Sequence, residues 1–383
     1  MTNPRARAAA PAAAGKNRKT RTGLPGQVVL VMQGGGALGA FQAGVYEAMH
    51  EAGIEPDWVV GTSIGAINGA IIAGNAPQDR IARLRAFWTL VAKGKTSAGA
   101  WPWHVPGLDK MMNNLATVTK GISGFFAPNL RSWSGPDTPL GVENASYYST
   151  AALRQTLGEL VDFGQFDKGK VRLTLGAVNV RSGRMRYFDS RDEQLNADHV
   201  MASGALAPAF PAVMIDGEPY WDGGIYSNTP IEVVMDDHPR RDSLIFAARL
   251  WQQEDEIPQS LGNVISRLKD IQYSSRAESH LARQQQIHQL RHVVRELGSL
   301  LPESVRARPQ VGELLGLGCC TVMHVLTLRA PALEGEDQTK DIDFSPAGIE
   351  ARWNAGRELV RERIAQAPWQ APVDPGTGIV VHD

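Results

Sequence analysis

Apolar positions along the chain come in short continuous runs that alternate with stretches of helical spacing. Residues 27–33 (QVVLVMQ) form a β-branched run bounded by Gly26 and Gly34, the pattern of a strand buried on both faces. Residues 37–51 follow, with Leu38, Phe41, Val45, Ala48 and Met49 close to one face of a helix. A second run at 58–60 leads into GTSIG at 61–65 and a helix of small residues over 66–73, and 80–91 reads as another helix. Strand, helix, strand, helix at this spacing predicts an α/β fold whose parallel sheet is covered on both sides.

The regularity fails over 95–148, where Gly, Pro and Asn alternate with Trp101, Trp103, Phe125, Phe126 and Trp133. Such a segment is too long for an ordinary connection. Two readings stand: a packed excursion whose aromatics join the core, or a lid or apolar rim over a greasy substrate. Strands resume at 171–178 and 184–188, a helix is expected over 197–206, and 244–250 is a further strand. Residues 260–297 are polar with a helical period and predict one or two long surface helices, on whose solvated faces His280, His288 and His292 are expected. A late strand is expected at 321–328, Ser345 and Pro346 open a final helix to about 366, and the Pro-rich end after 368 reads as a loose tail. The organisation expected is a basic disordered leader over 1–26, a main unit over 27–250, and a mostly helical extension over 251–383.

Length and composition change this picture little: 383 residues, 43% hydrophobic and 21% charged, suit a globular chain with a sizeable core. Lys+Arg 39 against Asp+Glu 40 leaves a net charge of −1, so no global field points to nucleic acid. The leader is the exception, carrying Arg5, Arg7, Lys16, Arg18, Lys19 and Arg21 without an acid. It reads as solvated, with attraction to anionic lipid headgroups as the alternative. Cys319 and Cys320 are adjacent and offer no disulfide framework. No run approaches the ~18 apolar residues of a spanning helix. A cytoplasmic protein is expected, in contact with a membrane at most peripherally, through the leader or the aromatic segment.

The first candidate for chemistry is GGGALG at 34–39, between a strand and a helix. Such a loop can cradle a pyrophosphate in a dinucleotide fold, or its N–H groups can hold the oxyanion of an acyl hydrolase. The nucleotide reading wants an acid at the C-terminal end of the second strand. Glu55 and Asp57 precede that strand, and at its end stands Gly61-Thr62-Ser63-Ile64-Gly65. This is G-x-S-x-G, which places a serine on a sharp strand-to-helix turn. Parallel strands would bring both loops to one edge of the sheet.

A serine needs a base. None of the nine histidines sits in a local motif. A carboxylate is the alternative: Asp222-Gly223-Gly224 follows Tyr220-Trp221, placing Asp222 at the end of an aromatic strand. Ser203 and Asn228 are further neighbours of this region, each expected to be structural.

This constellation resembles the patatin-like phospholipases, a family of serine acyl hydrolases. GGGALG at 34–39, GTSIG at 61–65, DGG at 222–224 and the small-residue segment ASGALAPAFP at 202–211 carry the resemblance, which covers about 28–250. It implies a three-layer α/β/α sandwich with a mainly parallel central sheet, followed by a helical C-terminal extension. It also implies a Ser-Asp dyad, with Ser63 as nucleophile and Asp222 as base, and an oxyanion hole drawn from the N–H groups of Gly34, Gly35, Gly36 and Ile64. Gly39, Gly61, Gly65, Gly223 and Gly224 are its motif glycines. The substrate implied is a lipid or other acyl ester, cleaved without metal or cofactor. Leu38 stands where many members carry a basic residue, which weakens the case for a phosphate-bearing headgroup. Rival readings are a Ser-His-Asp esterase using His238 or His324, a nucleotide-binding oxidoreductase, and a catalytically silent membrane-surface protein.

Overall fold

The computed structural model describes residues 23–93, 119–167, 170–374 and 376–383. Most of the leader lies outside these, as do Trp101 and Trp103 of the aromatic segment. Strand β1 (Gln27–Met32) runs parallel between β2 (Trp58–Gly61) and β9 (Ser243–Arg249). Its residues alternate between two cores. Val28, Leu30 and Met32 pack with helices α1 (Ala40–Glu51) and α2 (Ile64–Ala73), while Val29 and Val31 pack with Trp58, Ile231 and Val234. A continuous apolar run is therefore what this position requires. Helix α3 (Pro77–Lys93) flanks α2, and α4 (Ala151–Leu160) and α5 (Ala197–Ser203) follow along the chain.

The path between β2 and β9 sets up the site. A short ribbon of β3 (Ala127–Pro128) and β4 (Tyr148–Ser149) precedes β5 (Arg172–Asn179), which runs parallel to β2. Strands β6 (Met185–Asp189), β7 (Val213–Ile215) and β8 (Glu218–Asp222) are antiparallel additions. Leu175 of β5 pairs with both Gly61 and Phe188, and Ala177 with both Asp222 and Arg186. A strand has two edges, and β6 holds one of them at both positions. Strands β2 and β8 therefore share the other, end to end, because β2 is four residues long and β5 is eight. The chain leaving β2 at Ser63 meets the chain leaving β8 at Asp222.

Beyond Leu250 the sheet continues. One helix, α6 (Leu261–Ser299), occupies the polar stretch, and β10 (Met323–Arg329) and β11 (Ile379–His382) extend the sheet in parallel from β9. The chain after 368 is thus not a loose tail: it ends in an ordered strand. Helix α7 (Pro346–Gln366), with Ser345 as its cap, crosses α1 at close range. A Cβ on Gly44 would lie 1.9 Å from the Trp353 carbonyl oxygen, and one on Gly356 would lie 2.2 Å from that of Phe41. His288 and His292 are buried rather than solvated, with Nε2 atoms 3.4 Å from the Met235 carbonyl and 3.0 Å from the Thr321 carbonyl. Helical period alone does not reveal that this polar face is turned toward the sheet.

Candidate active site

Ser63 caps α2 with φ 56° and ψ −122°, a strained conformation that lifts its side chain out of the strand-to-helix turn. The turn closes because its neighbours are glycines. A Cβ on Gly61 would lie 2.4 Å from the Gly65 carbonyl oxygen, and one on Gly65 would lie 2.3 Å from that of Met32. Ser203 holds the turn from the side: the Ser63 N–H donates to its carbonyl and hydroxyl oxygens at 3.1 Å, and the Ser203 hydroxyl donates to the Gly176 carbonyl at 2.7 Å.

Asp222 is 2% exposed. The Ser63 hydroxyl lies beside its carboxylate, and the Gly224 N–H donates to Oδ1 at 2.7 Å. Burial outweighs the lowering effect of both neighbours and pushes the carboxyl pKa up to about 7. That brings a weak base near the range in which it can take a serine proton. Gly223 lets β8 lie against β5, since a Cβ there would lie 2.4 Å from the Gly176 carbonyl oxygen.

The glycine loop faces the same point. A Cβ on Gly34 would lie 3.0 Å from that of Ser63, and one on Gly39 would lie 2.5 Å from Ile64 Cγ1. Of the four N–H groups expected to hold an oxyanion, that of Gly34 is already engaged, donating to the Asn228 carbonyl at 3.2 Å. It is therefore removed from the set. The N–H groups of Gly35, Gly36 and Ile64 have no acceptor among the described residues. Gly36 adopts φ 56°, and Ile64 opens α2, so the helix dipole adds to its N–H.

Trp251, Gln33 and Asn228 hold this loop, and of these the sequence singled out only Asn228, as a structural neighbour. The Trp251 indole N–H donates to the Gly34 carbonyl at 2.7 Å, and the Asn228 amide donates to the same oxygen at 3.1 Å. Gln33 Oε1 accepts from the Trp251 N–H at 3.2 Å. Tyr273, on α6, packs against Trp251 with ring centroids 4.9 Å apart and the planes tilted by 33°. These anchors come from distant stretches of chain and carry no local motif.

Ser63 and Asp222 open into a cavity of about 180 Å³. Its walls are chiefly apolar, with Ile67, Phe125, Phe126, Tyr148, Phe210 and Phe344 among them. Phe125 and Phe126 are also buried in the main core, so these two both pack and line the cavity. The extension supplies Tyr273, Asp341, Ile342 and Phe344 to the same cavity. No histidine lines it among the described residues. His238 is exposed, and His324 stacks on His382 at 5.3 Å. Glu55 and Asp57 also have other tasks: Glu55 pairs with Arg80, and Asp57 Oδ2 accepts from the Val28 N–H at 3.0 Å. No group of metal-binding side chains occurs among the described residues.

The patatin-like phospholipase profile matches residues 30–235, and a second profile, described as patatin phospholipase, matches 271–376. A lysophospholipase nte1 of Aspergillus terreus is 46% identical over 243 residues, which is 62% of this chain and 13% of the relative. Patatin-like phospholipase domain-containing protein 7 of Rattus norvegicus is 46% identical over 59 residues, 15% of this chain and 4% of that one. The chain thus spans only about an eighth of the length of the first of these relatives. Among solved structures, VipD from Legionella pneumophila aligns over 89% of this chain and 67% of its own, with 14% identity and a TM-score of 0.39. With a family profile covering more than half its length and the motif loops meeting at one cavity, the chain belongs to the patatin-like phospholipase family.

Proposed function

We propose that the protein is a serine acyl hydrolase that cleaves lipid esters through Ser63 and Asp222. The observation that carries this reading is the Ser63 hydroxyl beside the buried Asp222 carboxylate, both lining one apolar cavity. Ser63 Oγ attacks the ester carbonyl while its proton passes to the Asp222 carboxylate. The oxyanion that forms is held by the N–H groups of Gly35, Gly36 and Ile64. As the ester C–O bond breaks, the leaving alkoxide takes the proton from Asp222. Asp222 then takes a proton from water, the resulting hydroxide attacks the acyl carbon, and Ser63 departs with that proton. The relatives named lysophospholipase support a lipid ester as substrate, and the aromatic walls suit an acyl chain. We read the extension as part of this unit, because it contributes to the cavity wall.

A serine-reactive fluorophosphonate, mapped by mass spectrometry, tests the reading. Labelling at Ser63 is expected in the wild type, none in Ser63→Ala, and at least 10²-fold slower labelling in Asp222→Asn. A folded wild type that takes no label, or takes it elsewhere, overturns the assignment.

A further inference from the structure

Resting on the acyl-hydrolase reading, a narrower question is which alcohol the ester carries, and the extension bears on it. Asp341 lines the cavity, and its backbone presses on the oxyanion loop, since a Cβ on Gly36 would lie 2.3 Å from the Asp341 carbonyl oxygen. Its carboxylate is held by Lys269 of α6, with Nζ 2.7 Å from Oδ1 and 2.9 Å from Oδ2. The same ammonium donates to the Gln338 carbonyl at 3.0 Å. An ammonium has three donors, and these three acceptors use them all. The next residue along, Lys340, is buried and committed to Asp270 at 2.8 Å and 2.9 Å. Both lysines are thus neutralised in place, and the charged side chains on the cavity's described walls are the carboxylates Asp222 and Asp341.

We infer that the Lys269–Asp341 pair acts as a charge filter, making the site select esters of uncharged alcohols over esters whose alcohol bears a phosphate. A phosphate brought beside the oxyanion loop loses water and meets the Asp222 carboxylate and an ion pair whose ammonium has no donor to spare. A glycerol hydroxyl meets no such opposition.

The test compares three esters with one acyl chain: 1-decanoylglycerol, its 3-phosphate and its 3-phosphocholine. For the full-length wild type, kcat/KM is expected to be at least tenfold higher on the neutral ester than on the 3-phosphate, with the zwitterion between them. Asp341→Asn releases the Lys269 ammonium, so the phosphate-to-neutral ratio is expected to rise at least fivefold. Lys269→Met leaves the Asp341 carboxylate unpaired, and the ratio is expected to fall below that of the wild type. Equal or faster Ser63-dependent turnover of the 3-phosphate by the wild type overturns the inference while leaving the hydrolase reading intact. So does a ratio that neither variant moves. Loss of turnover on all three esters in a folded wild type overturns the hydrolase reading, and this inference with it.

Discussion

Asp222 holds a buried carboxyl group at the end of its strand, beside the Ser63 hydroxyl and bonded at Oδ1 by the Gly224 N–H. Burial there favours the neutral acid, while the proposed chemistry needs the carboxylate. Two outcomes follow at this residue. Because the base must be ionised, kcat/KM on a neutral ester should climb with pH through about 7 and level off above it, in a profile taken from pH 5 to 9. A folded-state pKa above the unfolded value means the native protein keeps a proton that the unfolded chain sheds. Stability therefore falls as pH rises from about 4 to about 7. Asp222→Asn removes that penalty and should stabilise the fold by about 2–4 kcal/mol at pH 8 while abolishing turnover. The gain should shrink toward pH 4, as urea unfolding at both pH values would read. Ser63 was legible at this scale because the elbow's requirement, glycine at both flanks, is local. Asp222 was legible only beside it, since Asp-Gly alone marks a turn.

Among the elements, most strands and helices follow from periodicity, because a run buried on both faces or an apolar helical stripe is a local signal. The exceptions are instructive. Strand β11 is four residues long in a Pro- and Gly-rich end, and it becomes a strand because β10 offers a parallel edge. The polar stretch of α6 buries His288 and His292, a choice made by the groove it lies in. The crossing of α1 and α7 depends on two glycines over 300 residues apart, and neither stands out in the sequence. Gly44→Ala forces a methyl into the Trp353 carbonyl and should cost about 2–3 kcal/mol, seen as a lower urea midpoint with an unchanged slope.

Across the whole molecule, the site and the extension are one mechanical unit. Consecutive residues Lys269 and Asp270 of α6 pair crosswise with Asp341 and Lys340, drawing residues 340–344 over the cavity. The inner pair is the firmer hold: Asp270 is fully buried and also accepts from the Gln252 N–H at 3.0 Å. Removing one partner strands the other charge. Lys340→Ala should therefore cost about 3–5 kcal/mol, measurable by urea unfolding, whereas a neutral pair such as Lys340→Met with Asp270→Leu should recover much of it.

The sequence by itself determined the α/β class, the order of the principal strands and helices, and the three motif loops, because each depends on residues close together in the chain. Glycines at a turn, an apolar run and a serine between two glycines are constraints that a few neighbouring residues satisfy alone. Tertiary structure decided the rest. That β8 fills the edge of β5 beyond β2, that Asp222 is dry enough to become a stronger base, that Gly34 spends its N–H on Asn228, and that the extension walls the cavity all depend on groups far apart in sequence. Burial and the free edge of a strand are properties of the packed chain, and no local pattern encodes them.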